Sequence, residues 1–169
     1  MEVIPNDLSE TNSEVQTKEL LEEIDWPEAR AFWHVHIPNH DYKPWSEADF
    51  IVLTRRSILV LEVKGGHSIS RDENGLWKYI DRGGNVVSRN ESPIDQVSSS
   101  SAAIHRRLKD ELGAETVNKF AIGWGVVFPF VNFKSFIFKS CQIPILFFDK
   151  NAHGNFSPGS IFLKGAISE

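Results

Sequence analysis

The chain has 169 residues, 41% of them hydrophobic and 11% aromatic, which supports one buried core and excludes a disordered polar segment. No apolar run approaches the roughly 18 residues that cross a bilayer, and the opening MEVIPNDLSETNSE lacks the basic and apolar regions of a signal peptide, so the expected setting is the cytoplasm. The net charge of −5 is uneven: residues 1–50 hold 12 acids and 3 bases, residues 51–109 hold 6 acids and 10 bases, and a basic middle suits phosphate contact as readily as a solvated face.

Residues 1–12 are polar and read as a loose, flexible leader, with a single domain over 13–169. From Ser13, SEVQTKELLEEI predicts an amphipathic helix with Thr17, Leu20, Leu21 and Ile24 on one side and Glu14 beside Leu21, aimed inward. ARAFWHVHIP is a strand that Pro38 should end, leaving a loop over 38–48. Residues 49–53 and 58–64 are two short β-rich runs separated by TRRS, a hairpin by spacing. GGHSISRDENGLWKYIDRGGNV suggests further short strands around turns. A long helix follows, capped by Ser92, with Pro93 in its first position, Asp95 in its first turn, and Ile94, Val97, Ile104, Leu108 and Leu112 as an apolar stripe ending at Gly113. FAIGWGVVFPF, FKSFIF and IPILFFD complete the pattern as strands, two of them continuous enough to be buried on both faces. Cys141, the sole cysteine, excludes a disulfide framework and a multi-cysteine zinc site, and nothing beside it marks a nucleophile. There are no repeats and no phosphate-binding glycine loop. The expected class is α/β, with helices flanking a mixed central sheet.

The charges in DFIVLTRRSILVLEVKGG need a reason. Side chains alternate along a strand, so Glu62 and Lys64 share a face with Ile58 and Val60, and Asp49 shares one with Ile51 and Leu53. A two-residue turn at Arg55 and Arg56 would put Asp49 opposite Glu62, where like charges destabilise unless a cation sits between them. Two carboxylates, a backbone carbonyl and water suit Mg²⁺ or Mn²⁺, and a nearby lysine suits hydrolysis of a phosphodiester. The alternative is structural: Glu62 and Lys64 as an ion pair on a wet edge strand, and Asp49 as a turn cap.

Taken together, SE at 13–14, WSEADFIVL, ILVLEVKGG, GLWKY, the Gly83–Gly84 turn, SPIDQV and GWGVVFPFVNF resemble the nuclease-related domain, NERD, a branch of the PD-(D/E)XK restriction-endonuclease-like superfamily, from about residue 13 to residue 133. The resemblance implies a restriction-endonuclease-like core and a Mg²⁺- or Mn²⁺-dependent DNA nuclease. It implies Asp49 and Glu62 as metal-binding carboxylates with the Val63 backbone carbonyl, Lys64 as the catalytic lysine, Gln96 as the helix glutamine, and Glu14 as an assisting acid. Ala48 stands where the superfamily carries a proline before the first aspartate. WSEADF and EVKGG are most similar to versions joined to a helicase, which implies a helicase or ATPase domain in the same or a partner chain and a longer parent protein. A non-cleaving nucleic-acid-binding or assembly module of the same fold is the second expectation.

Gln96, one position before the buried stripe, can also be read directly as a donor or acceptor to a water or a phosphate. His67 follows the E-V-K-G-G turn and can touch a phosphate, as can Arg106, Arg107 and Lys109 on the long helix. His34, His36 and His40 invite zinc, but two histidines on one strand face without a third fixed ligand are more often packing or surface residues. Trp77 and Tyr79 alternate around Lys78 and read as sheet packing more readily than as a base-stacking platform.

Overall fold

The computed structural model describes residues 1–4, 11–40 and 43–131, with the backbone alone at 38–40 and 43–46. FKSFIF, IPILFFD and Cys141 lie outside the described residues. The elements in chain order are β1 (Glu2–Ile4), α1 (Asn12–Glu23), β2 (Arg30–His40), β3 (Lys43–Leu53), β4 (Ser57–Val63), β5 (Ser68–Arg71), β6 (Trp77–Ile80), β7 (Val86–Arg89), α2 (Pro93–Leu112), α3 (Ala114–Val117) and β8 (Ala121–Val127).

A five-stranded mixed sheet in the order β1-β2-β3-β4-β8 forms the centre. β2, β3 and β4 are a meander, while β1 joins β2 and β8 joins β4 in parallel. The parallel step from β4 to β8 requires a crossover, and α2 provides it. The antiparallel sheet β5-β6-β7 is inserted in the same crossover. Two cores result. Leu21 of α1 packs with Trp33, Phe50, Val52, Leu61, Val63 and Val127. Val97 and Ile104 of α2 pack with Val60, Val126, Ile69 and Trp77. The Trp33 and Phe50 rings stack at 5.6 Å, worth about 0.5–1.5 kcal/mol beyond the area they bury. Trp77 is buried and Tyr79 packs against the same core, so both are sheet packing. The expected mixed α/β architecture is the one observed.

Local chemistry explains the helix starts. Thr11 and Glu14 form a capping box, Thr11 N–H donating to Glu14 Oε2 at 2.8 Å and Glu14 N–H to Thr11 Oγ1 at 3.3 Å, so α1 begins just ahead of Ser13. Ser92 Oγ accepts from Ile94 and Asp95 N–H at 3.2 and 3.5 Å, with Pro93 in the first turn. Ser92→Ala should therefore cost about 1 kcal/mol in urea denaturation, and an unchanged midpoint would show that water replaces the cap. The apolar stripe ends earlier than expected. Leu112 is exposed, whereas Leu108 one turn earlier still packs against the core.

Three other expectations are corrected. Residues 2–4 belong to no loose leader: Glu2, Val3 and Ile4 pair with Arg30, Ala31 and Phe32, and Val3 enters the core. Pro38 does not end β2; its backbone pairs with Trp45, which is tolerated because β1 covers only Arg30–Phe32 and leaves the outer edge of β2 open beyond them. The expected loop over 38–48 is accordingly the far end of the β2–β3 hairpin. His34 and His36 do not share a face, since His34 is buried and His36 exposed.

The His34 reversal has a backbone cause. His34 takes φ +52°, a left-handed value rare for a residue with a side chain. Trp33 and Phe50 pack on the α1 side, yet Ile37 and Ala48, in phase with them by strict alternation, pack on the α2 side. Both strands turn over at the facing positions His34 and Asp49, which are missing from the pairing between Arg30↔Leu53 and Pro38↔Trp45.

Candidate active site

The β3–β4 hairpin adopts the register read from the sequence, from Leu53↔Ile58 to Phe50↔Leu61. Arg55 and Arg56 form the loop between Thr54 and Ser57. Thr54 compensates for their poor turn chemistry: its N–H donates to Ser57 O and its Oγ1 accepts from Ser57 N–H, both at 2.9 Å. Asp49 and Glu62 are next in line. The turnover at Asp49 takes it out of the ladder, and its Oδ2 accepts the Val63 N–H at 2.6 Å. A carboxylate has replaced a backbone carbonyl as partner of β4 at the strand's end.

Glu62 is 3% exposed on the α2 side of β4. It forms an ion pair with Lys64 Nζ, which also donates to Gln96 Oε1 at 2.9 Å. The lysine is thus stretched between a strand carboxylate and a helix amide. Burial pushes the Glu62 carboxyl up to about 7, reinforced by Asp49 and opposed by Lys64. Burial likewise raises Asp49 to about 6, against the Val63 hydrogen bond and Lys64, with Glu14 and Glu47 adding to the rise. Tyr79 is pushed up to about 12, first by burial and then by the charge of Glu62. Two carboxylates share too little positive charge, with one ammonium between them.

Glu14, besides capping its own helix, places Oε2 3.6 Å from His34 Nε2, and His34 Nδ1 lies 2.6 Å from Glu47 Oε1. Glu14, Lys64 and Gln96 line one cleft of about 710 Å³, with Thr11, Ser13 and Val63. It lies where the N-terminal ends of α1 and α2 meet the end of β4 and the Gly65–Gly66 turn, the usual ligand crevice of an α/β sheet. His67 lines a neighbouring groove instead. Arg106 and Arg107 line neither and are three turns along α2 from Gln96, Arg107 pairing with Glu111 at 2.7 Å. The two arginines expected to follow a nucleic-acid backbone thus lie outside both cavities. Gln96 accepts from the lysine through its Oε1. Arg89 and Glu91 also line the cleft, and no sequence pattern marked them, because β7 reaches the site only through the inserted sheet.

The donor set fits a hard divalent cation. Asp49 and Glu62 offer oxygen only, and burial, the first cause for each, raises the proton affinity of both. Among the described residues no three His, Cys, Asp or Glu side chains cluster as a full ligand set. Among the described residues no helix is long and apolar enough to cross a membrane.

A family model described as nuclease-related domain matches residues 9–133, a span that takes in both helix starts, the hairpin and β8. No curated protein and no solved structure matches the chain.

Proposed function

The chain belongs to the nuclease-related domain family, and from that premise we propose that it is a Mg²⁺- or Mn²⁺-dependent phosphodiesterase that hydrolyses DNA. The observation that carries this reading is Lys64, held between Glu62 and Gln96 at the cleft, while Asp49, just past the last paired position of the hairpin, accepts the Val63 N–H next to Glu62. A lysine tethered to helix and strand together is a positioned charge, unlike one half of a surface ion pair. The wet-edge alternative is disfavoured because β4 lies between β3 and β8 and Glu62 is buried.

Asp49 and Glu62 would hold the cation, with the Val63 carbonyl as a further donor. When bound, the ion supplies neutralisation of phosphodiester charge and a lowered pKa for water. Lys64 orients the attacking water and stabilises the extra negative charge that develops on the phosphoryl oxygens. Gln96, accepting from Nζ, keeps the ammonium directed into the cleft. Hydrolysis forms one P–O bond from water and breaks the bond to the leaving nucleotide, whose oxygen takes up a proton. Arg89 adds positive charge on the cleft wall for the strand. A helicase or ATPase module, in the same or a partner chain, would present the strand.

The test is a panel of labelled single-strand, duplex and branched DNA with Mn²⁺, comparing wild type with Lys64→Ala. Cleavage should fall about 100-fold in the variant, the scale of losing one electrostatic stabiliser, with the fold intact by circular dichroism. Metal-dependent cutting at the wild-type rate would refute the role of Lys64.

A further inference from the structure

Beside the catalytic cleft runs a second groove, of about 590 Å³, that shares Ser13, Gly65, Gly66 and Asp81 with it. Its distinguishing feature is a three-residue stack. The rings of His67 and Phe130 lie parallel, 5.1 Å apart and 2° from coplanar orientation. Arg82 places its guanidinium 6.0 Å from the Phe130 ring centre and donates from Nε to His67 Nε2 at 2.6 Å. His67 is itself anchored by its N–H to Ile80 O at 2.7 Å. The arrangement brings together the loop after β4, the β6–β7 turn and the segment after β8.

None of this is core packing. Arg82 is exposed, and His67 and Phe130 are half-buried and belong to neither core. The acids nearby are already engaged: Asp81 accepts from Asn85 N–H and Nδ2 at 2.9 and 2.8 Å, and Glu19 accepts from Gln16 at 3.1 Å. The floor between groove and cleft is bare backbone. A side chain at Gly65 would meet Ser13 Oγ at 3.4 Å, and Gly66 takes φ +110°, so both positions stay low.

We propose that this groove is a single-strand subsite, in which Phe130 and His67 stack an unpaired base of the substrate while Arg82 meets its backbone phosphate. The inference rests on the nuclease reading for the path of the strand, which leaves the cleft over Gly65–Gly66. Stacking requires an accessible base face, which a duplex keeps covered, so the groove selects unpaired DNA next to the scissile bond. Arg82 contributes in two ways, as a phosphate partner through its remaining guanidinium nitrogens and as a brace that keeps the rings parallel.

Fluorescence anisotropy in EDTA and low salt measures binding without cleavage, so its outcome is independent of whether Lys64→Ala abolishes cutting. The probes are a labelled oligothymidine and a duplex of equal length. Phe130→Leu and Arg82→Gln should each weaken oligothymidine binding about tenfold, the scale of losing one stacked base, and leave the duplex unchanged. A strand carrying abasic sites should bind wild type more weakly than intact oligothymidine, but bind Phe130→Leu equally to it. Both variants should melt within a few degrees of wild type. Equal losses on strand and duplex, wild-type affinity in both variants, no preference of wild type for the single strand, or indifference of wild type to abasic sites would overturn the proposal.

Discussion

Glu62→Gln is expected to abolish metal-dependent DNA cleavage, by about 10³-fold or more, and at the same time to raise the melting temperature of the metal-free protein at pH 8. The two effects have one cause. Glu62 is 3% exposed and its carboxyl is pushed up to about 7, first by burial and then by Asp49, so its ionised form is a net cost to the fold even with Lys64 bound to it. A rise from an ordinary 4.5 to about 7 corresponds to about 3 kcal/mol at pH 8. Glutamine keeps the shape and still accepts from Lys64 without the charge, so it relieves that cost. It also removes a ligand and the charge that would hold a cation. Thermal melts in EDTA and a cleavage time course in Mn²⁺ check both halves. Cleavage within tenfold of wild type would refute Glu62 as a ligand. A lower melting temperature in the variant would refute the account of its cost.

The metal-free wild type should lose stability as pH rises from 5 to 8, and Mg²⁺ or Mn²⁺ should restore it at the upper end. Raised carboxyl values fix the sign. Below about pH 3 both the folded and unfolded chains hold these protons, so the groups contribute nothing. Between the ordinary values of 3.8 and 4.5 and the folded values of about 6 and 7, the native state keeps protons that the unfolded chain has released. The slope of stability with pH is therefore negative across that window. A divalent ion that binds only the folded, ionised pair stabilises it by mass action and releases protons as it binds. Melting temperatures at pH 5 and pH 8, with EDTA and with Mn²⁺, read out all four corners. A rising trend in EDTA would mean that the pair is ionised at little cost, and Glu62→Gln should flatten the falling one.

Stability was thus conceded at one place in the sheet, and the same place shows how far the residues could be read in advance. The β3–β4 register was legible because a two-residue loop between alternating apolar runs leaves a single pairing that buries both faces, and Phe50↔Leu61 follows from it. The α2 start was legible because Ser92 and Pro93 act within three residues of themselves. The leader and Pro38 were misread because β1 finds its partner more than twenty residues away and because an edge position is defined only once the neighbouring strand is known to stop.

What the amino-acid sequence determined by itself is the mixed α/β pattern, the hairpin, and the presence of two carboxylates and a lysine in apolar surroundings. Alternation, capping and turn length are local rules, and they act on neighbours in the chain. Only the tertiary structure decided that β3 turns over at Asp49 opposite a left-handed His34, that Asp49 takes the Val63 N–H, and that Lys64 reaches Gln96 across 32 residues. It also decided that Arg82, His67 and Phe130 meet beside the cleft. Those contacts join segments whose separation along the chain carries no periodic signal, and their geometry exists only after both cores have closed around the sheet.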